Sequence, residues 1–133
     1  MAELPDDARK FLEKANPAVI ATLGKDGPVS VATWYLLEDD GRVLVNMDAG
    51  RKRLEHLQRD PHVSLTVIDE SNWYTHLSLQ GRVVETRPDE GLADIDRLSR
   101  HYGGEPYPDR DRPRTSAWVE IDRWHGWGGQ RDT

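Results

Sequence analysis

The apolar residues between Ala18 and Val84 come in short runs, most of them alternating with a period of two and closed by a turn signal. That pattern marks consecutive half-buried strands and restricts the chain to mainly β architectures. Residues 18–23 are a short apolar run ended by Gly24-Lys25-Asp26-Gly27. Residues 29–37 alternate, with Val29, Val31, Thr33, Tyr35 and Leu37 on one face and Ser30, Ala32, Trp34 and Leu36 on the other. Glu38-Asp39-Asp40-Gly41 is a hairpin turn whose glycine suits a positive φ, and residues 43–47 return as the partner strand. Val63, Leu65 and Val67 mark another strand. Trp73, Thr75, Leu77 and Leu79 mark the next, bent at Gly81 before Val83-Val84. Ala117, Val119 and Ile121 form the last, which runs on into Trp124-His125-Gly126-Trp127.

The remaining periodic segments are helical. Residues 6–15 place Ala8, Phe11, Leu12 and Ala15 on one face, with Asp6 or Asp7 as cap and Pro17 beyond the end. Residues 51–59 turn Leu54 and Leu57 inward and stop at Asp60-Pro61. Pro88-Asp89-Glu90 opens a longer helix with acidic residues in its first turn and an apolar stripe of Leu92, Ile95, Leu98 and Tyr102. Residues 103–113, rich in proline, glycine and charge, read as an exposed loop. The order is helix, three strands, helix, two strands, helix, strand. About six antiparallel strands with a helix inserted after the third predict a closed or split β-barrel with peripheral helices, not a sandwich. At 133 residues the expectation is one domain over 1–133.

The absence of cysteine excludes disulfides, thiolate metal sites and cysteine nucleophiles. No apolar stretch is long enough for a membrane span, and the N-terminus shows no signal-peptide pattern, so the expectation is a cytoplasmic protein without a membrane partner. A net charge of −6 argues against nucleic acid as partner. With 36% hydrophobic and 32% charged residues, a chain of this size is expected to complete its core through a partner subunit. His56, His62, His76, His101 and His125 lack ligand spacing, so no metal site is expected, and no Gly-x-Ser-x-Gly is present. Gly126-Trp127-Gly128-Gly129 has no helix after it to make a dinucleotide loop.

Chemistry concentrates at Ala49-Gly50-Arg51-Lys52-Arg53, between a strand end and a helix start. Free N–H groups at a helix N-terminus, with these cations beside them, make an anion site suited to phosphate; the plain alternative is a solvated basic turn. Tryptophan is the second signal, five against one phenylalanine. Trp34, Trp73, Trp124 and Trp127 fall near strand ends or rims, where a flat ring can stack, although ordinary core and interface packing is the commoner role of any single one.

Ala21-Thr22-Leu23, Asp26-Gly27-Pro28, Arg51-Lys52 and Leu57-x-x-Asp60-Pro61-x-Val63-Ser64-Leu65 occur in the order found in pyridoxamine-5'-phosphate-oxidase-like split barrels. Within that superfamily the chain most resembles the short reductases that use the deazaflavin coenzyme F420, from about Pro17 to Trp127. The resemblance implies a homodimer with two cofactor sites at the subunit interface. It implies that Arg51 and Lys52 hold the cofactor phosphate, with Arg53 at a further basic position. Met47 and Asp48 match the strand end beside the ring system, Thr33 and Trp34 the strand along which the ring lies. His76 matches a flavin-contacting position and Trp124 a tryptophan near the ring.

There are departures. The oxidases carry basic residues at the positions of Val31 and Leu36, and a basic C-terminal segment for pyridoxal phosphate that is missing before Thr133. Pyridoxamine phosphate oxidation is therefore not expected. Arg51, Lys52, Arg53 and Arg59 form an extended basic strip, which suits the phosphodiester and polyglutamate tail of F420 better than FMN. The expected function is hydride transfer from reduced F420, or alternatively from FMN, to a small conjugated or aromatic substrate. The protein would supply binders and no strictly catalytic residue. A non-enzymatic split barrel holding a flavin, haem or the deazaflavin is the rival reading, and an interaction protein without cofactor the weaker third.

Overall fold

The computed structural model describes residues 2–130; Met1 and residues 131–133, with the expectation placed on Thr133, lie outside the described residues. The strands are β1 (Ala18–Gly24), β2 (Gly27–Thr33), β3 (Leu36–Leu37), β4 (Val43–Asp48), β5 (His62–Asp69), β6 (Asn72–Pro88) and β7 (Arg114–Trp127). The helices are α1 (Asp6–Leu12), α2 (Lys52–Arg59) and α3 (Ala93–Gly103). All seven strands form one antiparallel sheet in the order β2-β1-β5-β6-β7-β4-β3.

The two edge strands of this sheet are consecutive in the chain, joined by Trp34 and Tyr35 alone. The steps from Thr33 to Leu36 span roughly 10 Å at full stretch. The sheet must therefore curl until its edges approach, which makes a split barrel with a seam at Trp34-Tyr35. The alternation over 29–37 predicted one strand; the structure divides it. Thr33 pairs with Ala18 on one side of the seam, whereas Leu36 pairs with Leu44 on the other. Alternation reports which face a residue takes and is silent on which neighbour its strand joins.

Inside the barrel, Phe11, Leu12, Ile20, Tyr35, Val43, Val45, Met47, Val67 and Leu77 are buried together. On the outer side of β4 and β7, Leu44 and Trp118 pack with Ile95 and Leu98 of α3. This is why 43–45 is apolar without interruption: β4 is covered on both faces. At Gly81 the expected bend is a bulge, where β6 passes so close to β7 that a Cβ would lie 2.1 Å from the Glu120 carbonyl oxygen.

Helix ends differ from the sequence expectation. Pro5, with no side-chain hydrogen bond, caps α1, so neither Asp6 nor Asp7 does. α1 stops at Leu12, because Lys14 and Asn16 take turn hydrogen bonds instead. Asp89 is buried rather than a surface charge at the helix end: its carboxylate accepts the N–H groups of Asp94 at 2.8 Å and Ile95 at 2.9 Å. A 3₁₀ turn, Glu90–Leu92, intervenes, with Gly91 and Leu92 both at positive φ.

Candidate functional site

β2 is where the barrel opens. Val29 and Val31 face Thr22 and Ile20 across the β1–β2 ladder, so they lie on the side that in β1 faces the core. Yet Val29 is 45% and Val31 43% exposed. An inward strand face left uncovered is the apolar wall of a cleft, and the N-terminus of α2 stands opposite it.

That N-terminus is built by Asp48. Its carboxylate accepts the Gly50 N–H at 2.9 Å, its carbonyl accepts the Arg51 N–H at 3.0 Å, and Arg112 pairs with it at 3.0 Å. The Gly50 hydrogen bond and the Arg112 guanidinium hold the Asp48 carboxyl below its usual range. Gly50 has no positive φ, so the backbone here does not require a glycine. Arg51 is the N-cap of α2, exposed like Lys52, and Lys52 makes a loose pair with Glu55 at 3.4 Å.

Arg53 points inward. Its Nη2 approaches the Asn46 carbonyl oxygen at 3.5 Å, while Nε and Nη1 are buried without a hydrogen-bond partner. Burial, then the charges of Arg51 and Arg114, pull its guanidinium below the usual arginine range. Cations at the positive end of a helix, one of them buried and unsatisfied, lower stability unless an anion joins them. Arg114, at the start of β7, completes the group: its guanidinium lies over the Tyr107 ring at 4.9 Å and its Nε donates to Asn46 Oδ1 at 2.6 Å. His56, hydrogen-bonded through Nδ1 to Thr22 Oγ1 at 3.0 Å, closes the outer rim.

The cleft has two lobes that share Ala32, Arg53, Tyr107 and Arg114. The cationic lobe, about 500 Å³, holds Val29, Val31, Gly50, Arg51, Lys52 and His56. The aromatic lobe, about 650 Å³, holds Thr33, Trp34 and Tyr102 over Ile95 and Leu98. A further groove leads from the cationic lobe past Glu55 and His56 to Lys25, Asp26 and Arg59.

Of the residues singled out from sequence, Arg51, Lys52, Arg53, Asp48, Thr33 and Trp34 come together on this cleft. Three do not. Met47 is wholly buried in the core, because its side chain points into the barrel. Trp124 sits half-buried beside Ala2, Leu4 and Arg9 in a different depression. His76 pairs with Ile68 and Trp127 on the sheet and bonds to the Tyr74 carbonyl oxygen at 3.1 Å. Sequence reading missed Arg114, Tyr107, Tyr102 and Asn46. Arg114 faces Asp48 only through the β4–β7 pairing, and no local motif signals a contact so distant along the chain. Among the described residues no cluster of potential metal ligands occurs, and no helix is long and apolar enough to cross a membrane.

Fold and site together define a split barrel with a cationic, aromatic-lined cleft at its seam. A profile of the pyridoxamine 5'-phosphate oxidase family matches residues 4–128. The chain belongs to that family, a family of flavin-binding oxidoreductases. Among solved structures it is similar to an F420 reductase, with 26% identity and a TM-score of 0.80 over 91% of this chain and 98% of that one. It is similar in fold to a conserved hypothetical protein from Mycobacterium tuberculosis, with 22% identity and a TM-score of 0.70 over 100% and 92% of the two chains. General stress protein 26 from Bacillus anthracis gives 14% identity and a TM-score of 0.66 over 90% and 89%. No curated protein matches significantly.

Proposed function

We propose that the chain is an F420-dependent oxidoreductase: a single-domain, cytoplasmic homodimer acting by hydride transfer on a small conjugated or aromatic substrate. The observation that carries the reading is the Arg53 guanidinium, buried with Nε and Nη1 unsatisfied, between Arg51 and Arg114. Such a group calls for an anion, and the cofactor's phosphate supplies one.

The residues present fit the group. Arg51, Lys52 and the α2 N–H groups would hold the phosphate, with Arg53 beneath it. Val29 and Val31 offer an apolar wall to one face of a ring, with Thr33 and Trp34 at its far end. Asp48 is committed to Gly50 and Arg112, so its role is to hold the turn. Met47 contributes through the core position of its strand, and Trp124 has no part in the cleft of its own chain. His76, elsewhere on the sheet, would contribute only from a second copy.

The bound deazaflavin would supply the hydride chemistry itself. The protein needs no acid, base or nucleophile for that; it orients ring and substrate and keeps water out. One feature supports F420 over FMN. The groove running on to Lys25 and Arg59 gives a long anionic tail a path. The similar F420 reductase is consistent with this choice.

Titration of the purified protein with F420 and, separately, FMN, followed by fluorescence, tests the reading. F420 is expected to bind at least about tenfold tighter, a difference near 1.4 kcal/mol. Tighter FMN binding reverses the cofactor, and binding of neither removes the assignment. Tight binding without substrate-dependent change in cofactor absorbance makes the protein a cofactor-holding module instead of an enzyme.

A further inference from the structure

We infer that Asn46 is a positioning residue: it aims Arg114 into the cleft and makes that arginine, which begins the last strand, a working member of the anion site. The inference rests on the cofactor-phosphate reading and adds to it the part of the molecule that sets the geometry.

Asn46 lies on β4 and is buried. Its amide nitrogen donates to Asp89 Oδ2 at 3.1 Å and to Ser116 Oγ at 3.1 Å. Ser116 Oγ in turn donates to Asp94 Oδ2 at 2.7 Å, so its oxygen is left as acceptor for Asn46. With both amide protons spent on these partners, Asn46 Oδ1 has to face the opposite way. It meets Arg114 Nε at 2.6 Å. A flipped amide would set Oδ1 against the Asp89 carboxylate, two acceptors in a buried place, which is strongly disfavoured. The orientation is therefore locked from behind.

The lock has an anchor. Asp89 also caps α3 through the N–H groups of Asp94 and Ile95, so a three-member line runs from a helix end through Asp89 and Asn46 to Arg114. The backbone carbonyl of the same Asn46 is the group that Arg53 Nη2 approaches. One residue thus touches both inner cations of the site. A guanidinium binds an oxyanion best as a fixed planar fork. The Nε bond to Asn46 and the position of the guanidinium over the Tyr107 ring hold Arg114 where it lines both lobes.

The readout is the preference for phosphate-bearing over phosphate-free ligand. Affinities of F420 and its phosphate-free deazaflavin head group are compared, and in parallel those of FMN and riboflavin. In the unaltered protein at least one pair is expected to differ by tenfold or more. Asn46→Ala should reduce that preference about tenfold and leave the phosphate-free affinity within about twofold. In an Arg114→Ala background the same change should have no further effect on it. Arg114→Lys, at a position that does not risk the core, retains the charge and loses the Nε bond. It should reduce the preference nearly as far as Arg114→Ala. If Arg114→Lys keeps the full preference, or if Asn46→Ala acts equally with and without Arg114, Asn46 is only a core residue and the inference fails. If neither pair shows a preference in the unaltered protein, the phosphate reading itself fails and takes the inference with it.

Discussion

Trp34 lies flat on Tyr102, with ring centroids 5.4 Å apart and 14° between the planes. Tyr102 also receives the Tyr35 N–H on its hydroxyl at 3.4 Å and donates to the Asn16 carbonyl oxygen at 2.7 Å. One side chain of α3 thus holds both residues of the link that joins the two edges of the sheet. Tyr102→Phe keeps the stack and loses the hydroxyl, and is expected to cost about 1 kcal/mol in chemical denaturation. Tyr102→Ala loses the ring as well and should cost roughly 3 kcal/mol or more.

The same hydroxyl predicts an alkaline limit. Burial pushes the Tyr102 phenol up to about 12, and burial followed by the neighbouring Tyr102 raises Tyr35 further still. A folded-state value above the unfolded one means full stability below pH about 10 and loss as pH rises toward about 12. Tyrosinate absorbance of these two side chains should therefore appear together with unfolding. Removing the hydroxyl in Tyr102→Phe should flatten the stability decline across that window. An unchanged slope would show that Tyr102 titrates freely.

Much of this architecture is legible from residues alone. The alternation in 63–67 and 73–79 matches β5 and β6, and the basic turn lies where a helix starts beside a strand end. What is not legible comes from chain closure. Nothing in residues 29–37 tells that Thr33 and Leu36 belong to opposite edges, and so nothing tells that Val29 and Val31 form an open wall. The burial of Asp89 is hidden for a related reason: Pro88-Asp89-Glu90 looks like an acidic helix start, but the Asn46 that donates to Asp89 comes from a strand far away in the chain. The family resemblance sets Met47 with Asp48 at the strand end beside the ring system, and strand parity sends its side chain into the core.

Gly81 and Gly103 offer opposite outcomes. A Cβ at Gly81 would meet the Glu120 carbonyl oxygen at 2.1 Å, and a backbone atom cannot swing aside. Gly81→Ala should destabilise by about 3 kcal/mol or fail to fold. At Gly103, in the last turn of α3, nothing stands within 4 Å of the added carbon. Gly103→Ala should stabilise by roughly 0.5 kcal/mol, measured as a rise in the urea midpoint at constant slope.

Self-association is the next expectation. Trp73 is 68% exposed and stacks on Tyr74, itself exposed, and Trp127 is 45% exposed on the neighbouring strand. Aromatic surface of this extent is what a subunit interface covers. Sedimentation at micromolar concentration should give a dimer, and Trp73→Asp should shift it toward monomer. A stable monomer for the unaltered chain would remove the interface.

The sharpest prediction concerns Arg53, because here binding and stability should move in opposite directions. Its buried Nε and Nη1 lack partners, and Arg51 and Arg114 add repulsion. Without ligand the guanidinium is a cost to the fold, offset only by a long contact of Nη2 with the Asn46 carbonyl oxygen at 3.5 Å. Arg53→Met keeps the length and apolar stem and removes the charge. The ligand-free protein should gain roughly 1–2 kcal/mol in denaturant unfolding. Affinity for a phosphate-bearing cofactor should fall about ten- to a hundredfold, as for any lost charge-assisted contact. Arg51→Ala should also weaken binding, without raising stability, since Arg51 is exposed. Arg59→Ala, at the far end of α2, should weaken it least, with a deficit that salt erases. If Arg53→Met destabilises the ligand-free protein and leaves affinity intact, the inner cation is structural and the site contains no buried anion.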